Sequence, residues 1–166
     1  MAPAGHDAAN TAGCNPAISI AKAEERKKQQ MKVKLDHFAY LPTRAHDTDA
    51  GLDLYTPFDI KIMPGSSTSV NTGVHIELPP YTVGMLKSKS GLNVKHGIVS
   101  EGVIDEGYSG SIVVKLYNHG SYPVTLHKGS KITQLVVLPV LYVDVEQADE
   151  LRQGERGANG FGSTGI

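Results

Sequence analysis

The chain has one cysteine, no tryptophan and almost no net charge, and these shortages exclude whole classes of protein. Cys14 is the only cysteine among 166 residues, so no internal disulfide can form. The formal net charge is −1, from 16 Lys and Arg residues against 17 Asp and Glu residues. This balance removes the broad basic surface that duplex DNA or an anionic membrane attracts. We therefore expect neither nucleic acid nor membrane as a partner, and local groups must hold any polyanionic ligand.

Long apolar segments are also missing. No apolar run reaches the roughly 18 residues of a membrane span, and no apolar signal core follows Met1. Together with the single cysteine, this predicts a soluble intracellular protein, in the simplest case cytoplasmic, while a nuclear location or an organelle transit peptide stays open. The seven histidines form no i, i+4 pair with a third ligand, so we expect no zinc site.

Glycine and proline, with 18 and nine residues, are abundant and favour short strands joined by turns over a helical bundle. Apolar residues alternate with polar ones in 31–35, 70–78 and 112–116, the period of half-buried strands. Residues 132–145 are apolar at odd and even positions, which predicts a strand buried on both faces, one of which another subunit could cover. Helical periodicity is weak and confined to 91–96. We predict an all-β protein, a jelly-roll-like barrel.

The chain divides into three parts. Residues 1–30 have no apolar stripe and are expected to be a flexible tail, followed by a β domain over 31–150. Residues 151–166 form a Gly-rich C-terminal arm with too few apolar side chains to pack alone. Its G-x-G-x-x-G pattern lacks the following helix of a dinucleotide site. Glycine N–H groups, the Ser163 and Thr164 hydroxyls and the Arg156 guanidinium nevertheless suit a phosphate.

Three internal segments carry further polar groups. The sequence Ser88-Lys89-Ser90-Gly91 contains no nucleophile elbow and suits anion binding better than nucleophilic catalysis. Residues 103–108 place two carboxylates beside an aromatic ring between apolar strands, which by itself indicates a polar hairpin. Residues 129–135 form a turn leading into a strand, on which parity places Gln134 at a core position.

Taken in order, five segments resemble the five motifs of the trimeric dUTP pyrophosphatases, the dUTPases. They are residues 50–54, 88–92, 102–110, 129–135 and 156–165. The resemblance extends from about residue 31 to the last residue. It implies a jelly-roll-like β fold and a homotrimer with three active sites at subunit interfaces, each built from three chains. It also implies Mg²⁺-assisted hydrolysis of dUTP to dUMP and pyrophosphate, which keeps uracil out of DNA and supplies dUMP for dTMP synthesis.

The resemblance implies a role for each matching residue. Asp105 is similar to the carboxylate that deprotonates the water attacking the α-phosphate. Asp53 is similar to the aspartate that acts near the hydrated metal, and Tyr108 to the platform under the deoxyribose. Backbone groups of a hairpin around residues 98–103 would recognise uracil, and Val103 and Ile104 are the candidate residues there. No direct protein ligand to Mg²⁺ is implied, because the triphosphate and waters would hold the ion.

The remaining matching residues would bind the triphosphate and the base. Those that hold the phosphate chain are Lys89, Ser90, Gly91 and Gln134. Those of the arm that would close over the γ-phosphate are Arg156, Gly160, Gly162, Ser163 and Thr164. Phe161 resembles the ring that stacks on uracil. Lys89 and Lys131 stand where the family usually has arginine, which keeps the charge but loses the bidentate fork.

Two other functions are open from the sequence. The related dCTP deaminases share the fold but need a glutamate that activates water at C4 of cytosine, for which Glu101 and Glu106 are the nearby candidates. The second is a nucleotide-responsive regulatory protein of dUTPase descent that binds a protein partner through residues 1–30.

Overall fold

The alternating segments become short antiparallel strands in the computed structural model, which describes residues 30–154 and residue 157. These residues contain ten strands and one helix. In chain order they are β1 Lys32–Leu35, β2 Gly51–Tyr55, β3 Ile60–Ile62, β4 Ser67–Asn71, β5 Val74–Glu77, β6 Thr82–Lys87, α1 Ser90–His96, β7 Ile98–Ile104, β8 Val113–Asn118, β9 Val124–Leu126 and β10 Lys131–Pro139. Outside the described residues lie 1–29, which are the predicted N-terminal tail except Gln30, and residues 155, 156 and 158–166 of the predicted arm.

Six of the strands form one sheet in the order β2-β10-β6-β7-β8-β4, and the pairs β1-β5 and β3-β9 complete the fold. Each strand runs antiparallel to its neighbours. The main sheet curls into a half-barrel, which confirms the predicted all-β, jelly-roll type of architecture. Because β10 lies between β2 and β6, segments far apart in sequence become neighbours at one end of this sheet.

The core lies on the inner face of the curled sheet. Strand β8 shows the pattern most clearly, since Val114 and Leu116 are fully buried while Val113 and Tyr117 on the other face are exposed. The alternation predicted in 112–116 is therefore confirmed. The apolar residues that share this core are Leu54, Ile62, Val70, Val74, Ile76, Leu78, Leu86, Ile98, Ile104, Ile112, Val114, Leu116, Val124, Leu126, Ile132 and Leu135.

One buried polar side chain ties the strands together. The Nδ2 group of Asn118, at the end of β8, donates to the carbonyls of Ile62 and Tyr122, each at 2.9 Å, and its Oδ1 accepts from the N–H of Gly120 at 2.9 Å. Since every polar atom of this amide is bonded, its burial carries no unpaired-group penalty. Asn118 thereby joins β8 to β3 and to the turn that follows β8.

The single strand predicted over 70–78 is wrong, because the structure contains two strands there. β4 pairs with β8 and β5 pairs with β1, and Gly73 between them has a φ of +69°. The Oδ1 atom of Asn71 accepts the Gly73 N–H at 2.9 Å and fixes this corner. The inward side chains from Val70 to Leu78 are nevertheless buried as predicted. Alternation predicts which side chains are buried, but not where a strand changes its partner.

The strand predicted over 132–145, with both faces buried, is also wrong in its extent. β10 ends at Pro139, and beyond it Leu141, Val143 and Val145 are 87%, 75% and 96% exposed. A register shift between Lys131 and Thr133 marks a bulge at the start of the strand. A bulge reverses the parity of the residues that follow it. This explains why the consecutive residues Ile132 and Thr133 are both buried.

The weak helical pattern over 91–96 is confirmed as α1, a helix of seven residues. Gly97 ends the helix with a φ of +67°, and its N–H donates to the Asn93 carbonyl at 2.8 Å. In the described part of the chain, no helix is long and apolar enough to cross a membrane. The role of α1 is local, because it follows Lys89 and fixes the chain direction after β6.

Replacing Gly73 with Ala tests the corner between β4 and β5. A Cβ atom at Gly73 would lie 2.6 Å from Cε2 of Phe38, in addition to the cost of about 1–2 kcal/mol for a left-handed backbone. Gly65 has a φ of +67°, but a Cβ atom added there would have no neighbour within 4 Å, so Gly65→Ala measures the backbone cost alone. We expect Gly73→Ala to lower the free energy of unfolding in urea by about 1–3 kcal/mol more than Gly65→Ala. Equal losses would mean that the Phe38 contact has no energetic effect.

Candidate active site

Asp53 lies at the centre of a charged cluster at one end of the main sheet. It belongs to β2, is only 4% exposed, and pairs in register with Gln134 on β10. The Lys89 ammonium, just before α1, binds its Oδ1 atom, and the Lys131 ammonium, at the start of β10, binds its Oδ2 atom at 2.7 Å. Both carboxylate oxygens therefore contact a cation.

These two lysines decide the charge state of the cluster. Burial alone raises the pKa of Asp53, but the hydrogen bonds and charges of Lys131 and Lys89 lower it by more, so the net pKa lies below its ordinary value. The same contact raises the pKa of Lys131, chiefly through its hydrogen bond to Asp53. The cluster is ionised at neutral pH, with one buried anion between two partly exposed cations.

Gln134 lies beside this cluster and not in the core. It is half-buried, whereas the neighbouring Leu135 is fully buried, so the core position predicted for the amide is wrong. The bulge at the start of β10 shifts the parity by one residue and explains the error. The Gln134 Nε2 group donates to the Ser88 carbonyl at 3.1 Å. The amide thus links β10 to the segment that carries Lys89.

A buried hydroxyl network supports the same segment, and the sequence analysis missed it. The Ser88 hydroxyl accepts from the Ser100 N–H at 2.9 Å and donates to the Ser100 carbonyl at 3.1 Å. The Ser100 hydroxyl lies 2.7 Å from that of Thr133, which donates to the Lys87 carbonyl at 3.0 Å. The sequence signal for this network is a small polar residue, Ser100 or Thr133, at an inward position of an otherwise apolar strand. The sequence pattern does not show that these two residues contact each other. Beyond the network, Ser90 and Gly91 begin α1 and are exposed.

A second group of candidate residues lies on the loop between β7 and β8. Asp105 is exposed there, and its carbonyl accepts the Tyr108 N–H at 3.1 Å. Tyr108 is 46% exposed, and its hydroxyl donates to the Ser111 carbonyl at 3.1 Å. Just before the loop, Val103 is 57% exposed and Ile104 is buried. A ligand at this position would therefore meet the backbone of Ile104 and not its side chain.

The edge of β7 opens at this loop. Residues Ile98 to Ser100 pair with β8, whereas Glu101 to Ile104 pair only with β6 among the strand pairs of the described chain. The other edge of 101–104 is therefore not covered by β8. The hairpin predicted around residues 98–103 is wrong, since this segment is one continuous strand with two partners.

The two groups lie far apart within one chain. Asp53, Gln134, Lys87 and Glu101 form one row across β2, β10, β6 and β7. Asp105 follows Glu101 by four residues, in the direction away from α1. With strands about 4.8 Å apart and a rise of about 3.3 Å per residue, Asp53 and Asp105 are separated by roughly 20 Å. One chain therefore does not bring the two aspartates to a common substrate.

The candidates of the C-terminal arm complete the set. Arg156, Gly160, Phe161, Gly162, Ser163 and Thr164 lie outside the described residues. Among the described residues, no group of three His, Cys, Asp or Glu side chains could hold a metal ion.

Comparison with known proteins identifies the family. The family profile described as dUTPase matches residues 38–165. The chain belongs to the dUTPase family. Two similar relatives are the deoxyuridine 5'-triphosphate nucleotidohydrolases of Clostridium acetobutylicum and Gloeothece citriformis, each 46% identical over 136 residues that span 80% of this chain and 94% of the relative.

Solved dUTPase structures share the fold. The Staphylococcus bacteriophage 80alpha dUTPase with dUpNHpp is 29% identical, with a TM-score of 0.77 over 82% of this chain and 99% of that chain. It is described as controlling transfer of virulence genes by a G protein-like mechanism. A mutant dUTPase of S. aureus phage phi11, 26% identical with a TM-score of 0.69 over 74% of this chain and 98% of that one, is described with a structural Mg(II) ion.

The dUTPase family match spans both groups of candidate residues. The segments that match the first, second and fourth motifs converge on Asp53, while the third motif, with Asp105 and Tyr108, lies at the other end of the sheet. The fold of a single chain thus brings residues 50–54, 88–92 and 129–135 together.

The charge balance at Asp53 predicts an acid-dependent loss of stability. Because the folded state lowers the pKa of Asp53, its stabilisation is present above the ordinary value of 3.8 and is lost as pH falls below it. Asp53→Asn leaves two lysines without their anion and should cost about 2 kcal/mol at pH 7, a figure reduced by the partial exposure of both lysines. Urea unfolding at steps from pH 7 to pH 3 should show the difference from wild type shrinking in acid. Asp144→Asn, at an exposed position, is the control, and a pH-independent difference for Asp53→Asn contradicts the assignment.

Proposed function

We propose that the protein is a dUTP diphosphatase that cleaves dUTP to dUMP and pyrophosphate through attack of an Asp105-activated water on the α-phosphate. The observation that carries this proposal is the dUTPase family match over residues 38–165, which spans both groups of candidate residues. Hydrolysis of dUTP is the activity that the names of the relatives record. Phosphoryl transfer needs positioning, an activated water and charge neutralisation, and the chain offers groups for each.

The Asp53 cluster supplies the cations for the phosphate chain. An ammonium carries three protons, and Lys89 and Lys131 each use one toward Asp53. With side chains 28% and 41% exposed, both lysines have protons left for phosphate oxygens. The N–H groups of Ser90 and Gly91, two exposed residues, and the amide of Gln134 belong to the segments next to these lysines.

The donor set fits a Mg²⁺ ion held mainly by the substrate and by water. Both oxygens of Asp53 already accept from lysines, so this carboxylate is suited to contact a hydrated ion and not to bind the metal directly. When bound, Mg²⁺ would neutralise charge on the phosphate oxygens. The requirement for Mg²⁺ is part of the proposal.

The open edge of β7 is suited to recognise uracil. Backbone groups of 101–104 on that edge are not paired with β8 and can form base-pair-like hydrogen bonds. Cytosine presents the opposite donor and acceptor pattern at N3 and C4, and would leave these groups unpaired. In this proposal the ring of Tyr108, whose hydroxyl donates to the Ser111 carbonyl, lies under the deoxyribose.

Asp105 is the group proposed to accept the proton of the attacking water. Its carboxylate is exposed on the loop and adjoins the strand edge that would hold the base. The water attacks the α-phosphorus as the bond to the pyrophosphate oxygen breaks, and the proton of the water passes to Asp105. The arm residues Arg156 to Thr164 would then close over the γ-phosphate and exclude bulk water, with Phe161 on the base.

The separation of the two groups supports the part of the proposal in which the protein is a homotrimer with shared sites. Since Asp53 and Asp105 of one chain are roughly 20 Å apart, a common site requires Asp53 of one subunit and Asp105 of another. Apolar side chains beyond β10, among them Leu141 and Val145, are exposed on the single chain and are suited to an interface.

The deaminase alternative would need Glu101 or Glu106 to activate water at C4 of cytosine. Each of them already uses one carboxylate oxygen in contacts within the chain, Glu101 in an ion pair with Lys87 at 3.3 Å and Glu106 in hydrogen bonds from Tyr81 and Tyr142. Measuring ammonia release from dCTP against pyrophosphate release from dUTP separates the two reactions.

A regulatory function is a second candidate, supported by the likeness to the phage 80alpha dUTPase. In this proposal, nucleotide binding would control a protein partner bound through residues 1–30. A chain that binds dUTP but does not hydrolyse it would favour a regulatory function alone. If the chain hydrolyses dUTP, regulation would be a function in addition to hydrolysis.

Replacing Asp105 with Asn tests the proposed base. The amide keeps the size and one acceptor but cannot take a proton, so turnover of dUTP should fall by at least about a hundredfold. Binding of the non-hydrolysable analogue dUpNHpp should change by less than about threefold. Calorimetry and a pyrophosphate assay on the same preparation measure the two effects. Wild-type turnover in the variant rejects Asp105 as the base.

Mixing Asp53→Asn and Asp105→Asn chains, each expected to be inactive alone, tests whether the sites are shared. If Asp53 and Asp105 of one site come from different subunits, a trimer that contains both Asp53→Asn and Asp105→Asn chains has one intact site. Random mixing at equal amounts makes about three quarters of the trimers mixed, so about a quarter of wild-type activity should return.

Co-expressed chains supply the mixture, and the two variants combined after separate assembly, without subunit exchange, supply the control. A chain that builds its site alone would show no recovery in either sample, and that result contradicts the shared site.

A further inference from the structure

Glu106 lies on the loop between β7 and β8 and joins this loop to two other parts of the chain. Its Oε2 atom accepts the Tyr81 N–H at 2.7 Å and the Tyr142 hydroxyl at 2.5 Å. Tyr81 directly precedes β6, and Tyr142 follows the end of β10. Glu106 is the immediate neighbour of Asp105. We refer to these three residues, Tyr81, Glu106 and Tyr142, as the loop bracket.

The backbone of Tyr81, whose N–H group donates to Glu106, is strained. Its φ is +59°, a left-handed conformation that a residue with a bulky side chain rarely adopts. Such strain persists where the surrounding contacts hold the residue in place. The Tyr81 carbonyl accepts the Val140 N–H at 2.9 Å, and the Tyr81 and Tyr142 rings have centroids 6.0 Å apart. The strained residue therefore contacts both the loop and the segment after β10.

The contact between Glu106 and Tyr142 is a charge-assisted hydrogen bond. Chiefly because Glu106 accepts this bond, the pKa of Tyr142 lies above its ordinary value of 10.0. The hydroxyl proton is thus retained at neutral pH, where Tyr142 can donate it to Glu106. Residues after Tyr142 lead along the chain toward Arg156.

Among the residues that the structure describes, the other side-chain contacts of the loop to neighbouring segments lie on its far side. A ring nitrogen of His75, Nδ1, lies 2.8 Å from the Ser109 carbonyl, and the Ser111 hydroxyl binds the Asn71 side chain. Both attachments follow Tyr108 in sequence. On the Asp105 side, the loop bracket supplies the side-chain attachment.

We propose that Glu106 is a positioning residue, which sets the orientation of Asp105 by binding Tyr81 and Tyr142 through one carboxylate oxygen. This inference rests on the proposed function, because it assigns Glu106 a role in the reaction that Asp105 performs. Glu106 contacts no substrate in this proposal. Its charge is useful for the strength of two hydrogen bonds and is not needed for proton transfer.

Two substitutions at Glu106 separate positioning from acid–base chemistry. Glu106→Gln keeps a carbonyl oxygen that can accept both bonds, whereas Glu106→Ala removes the acceptor. We expect the single-turnover rate of dUTP hydrolysis to fall about tenfold in Glu106→Ala and to stay within about threefold of wild type in Glu106→Gln. The affinity for dUpNHpp should change by less than about threefold in both. Glu77→Ala, which removes an exposed carboxylate paired with Lys32, is the control.

A third variant tests the other end of the bracket. Tyr142→Phe removes only the hydroxyl, and it should slow single turnover several-fold. Tyr122→Phe, at a tyrosine that is 80% exposed, is the matched control. Hydrogen exchange of the backbone amides supplies a readout without substrate. Residues 105–108 and 140–142 should exchange faster in Glu106→Ala and Tyr142→Phe than in wild type, and should be unchanged in both controls.

The outcomes are decisive in each direction. Faster exchange together with slower turnover supports positioning. Faster exchange with unchanged turnover shows a structural role only and overturns the proposal, as does slower turnover with unchanged exchange. Equal loss in Glu106→Gln and Glu106→Ala assigns a proton-transfer role and also overturns it. If wild type does not hydrolyse dUTP, the proposed function fails, while the exchange experiment still reports whether the bracket holds the loop.

Discussion

A buried carboxylate between two lysines is the interaction on which the rest of the site depends. Asp53 is almost fully enclosed at the end of β2, and a carboxylate there is stable as an anion only because both of its oxygens bind ammonium groups. Those ammonium groups come from the segment before α1 and from the start of β10. The requirement to neutralise one buried charge therefore brings three distant segments of sequence to one place.

The same sheet that assembles this cluster separates it from Asp105. β7 runs antiparallel to β6, so the loop after β7 and the segment after β6 leave the sheet at opposite ends. No rearrangement of side chains spans a separation of roughly 20 Å, which is several times the reach of an aspartate. A rigid antiparallel sheet thus makes a complete site possible only between molecules, and subunit association becomes a condition of catalysis in the proposed function.

The local sequence pattern predicted the fold class and most buried side chains, because the alternation of a strand depends only on residues that are close in sequence. It failed where long-range contacts decide the geometry. The bulge before Thr133 reversed the position of Gln134, and the left-handed corner at Gly73 divided one apparent strand into two. The pairing of Asp53 with Lys131 depends on strand order, which periodicity does not reveal. The motif order indicated the candidate site residues and sites shared between chains, but not which of the candidates one chain brings together.

Both cations that bind Asp53 are lysines and not arginines, and this affects how they can bind a phosphate. Each ammonium is a point charge with three protons, so it can bind the carboxylate and still contact a phosphate oxygen, but it has no planar fork with which to orient that phosphate. Orientation must then come from groups with fixed geometry. The N–H groups at the start of α1 are held by the Ser88 and Ser100 network, and the amide of Gln134 is held by the Ser88 carbonyl. In the proposed function, the lysines therefore supply charge, and the backbone around Ser88 orients the phosphate.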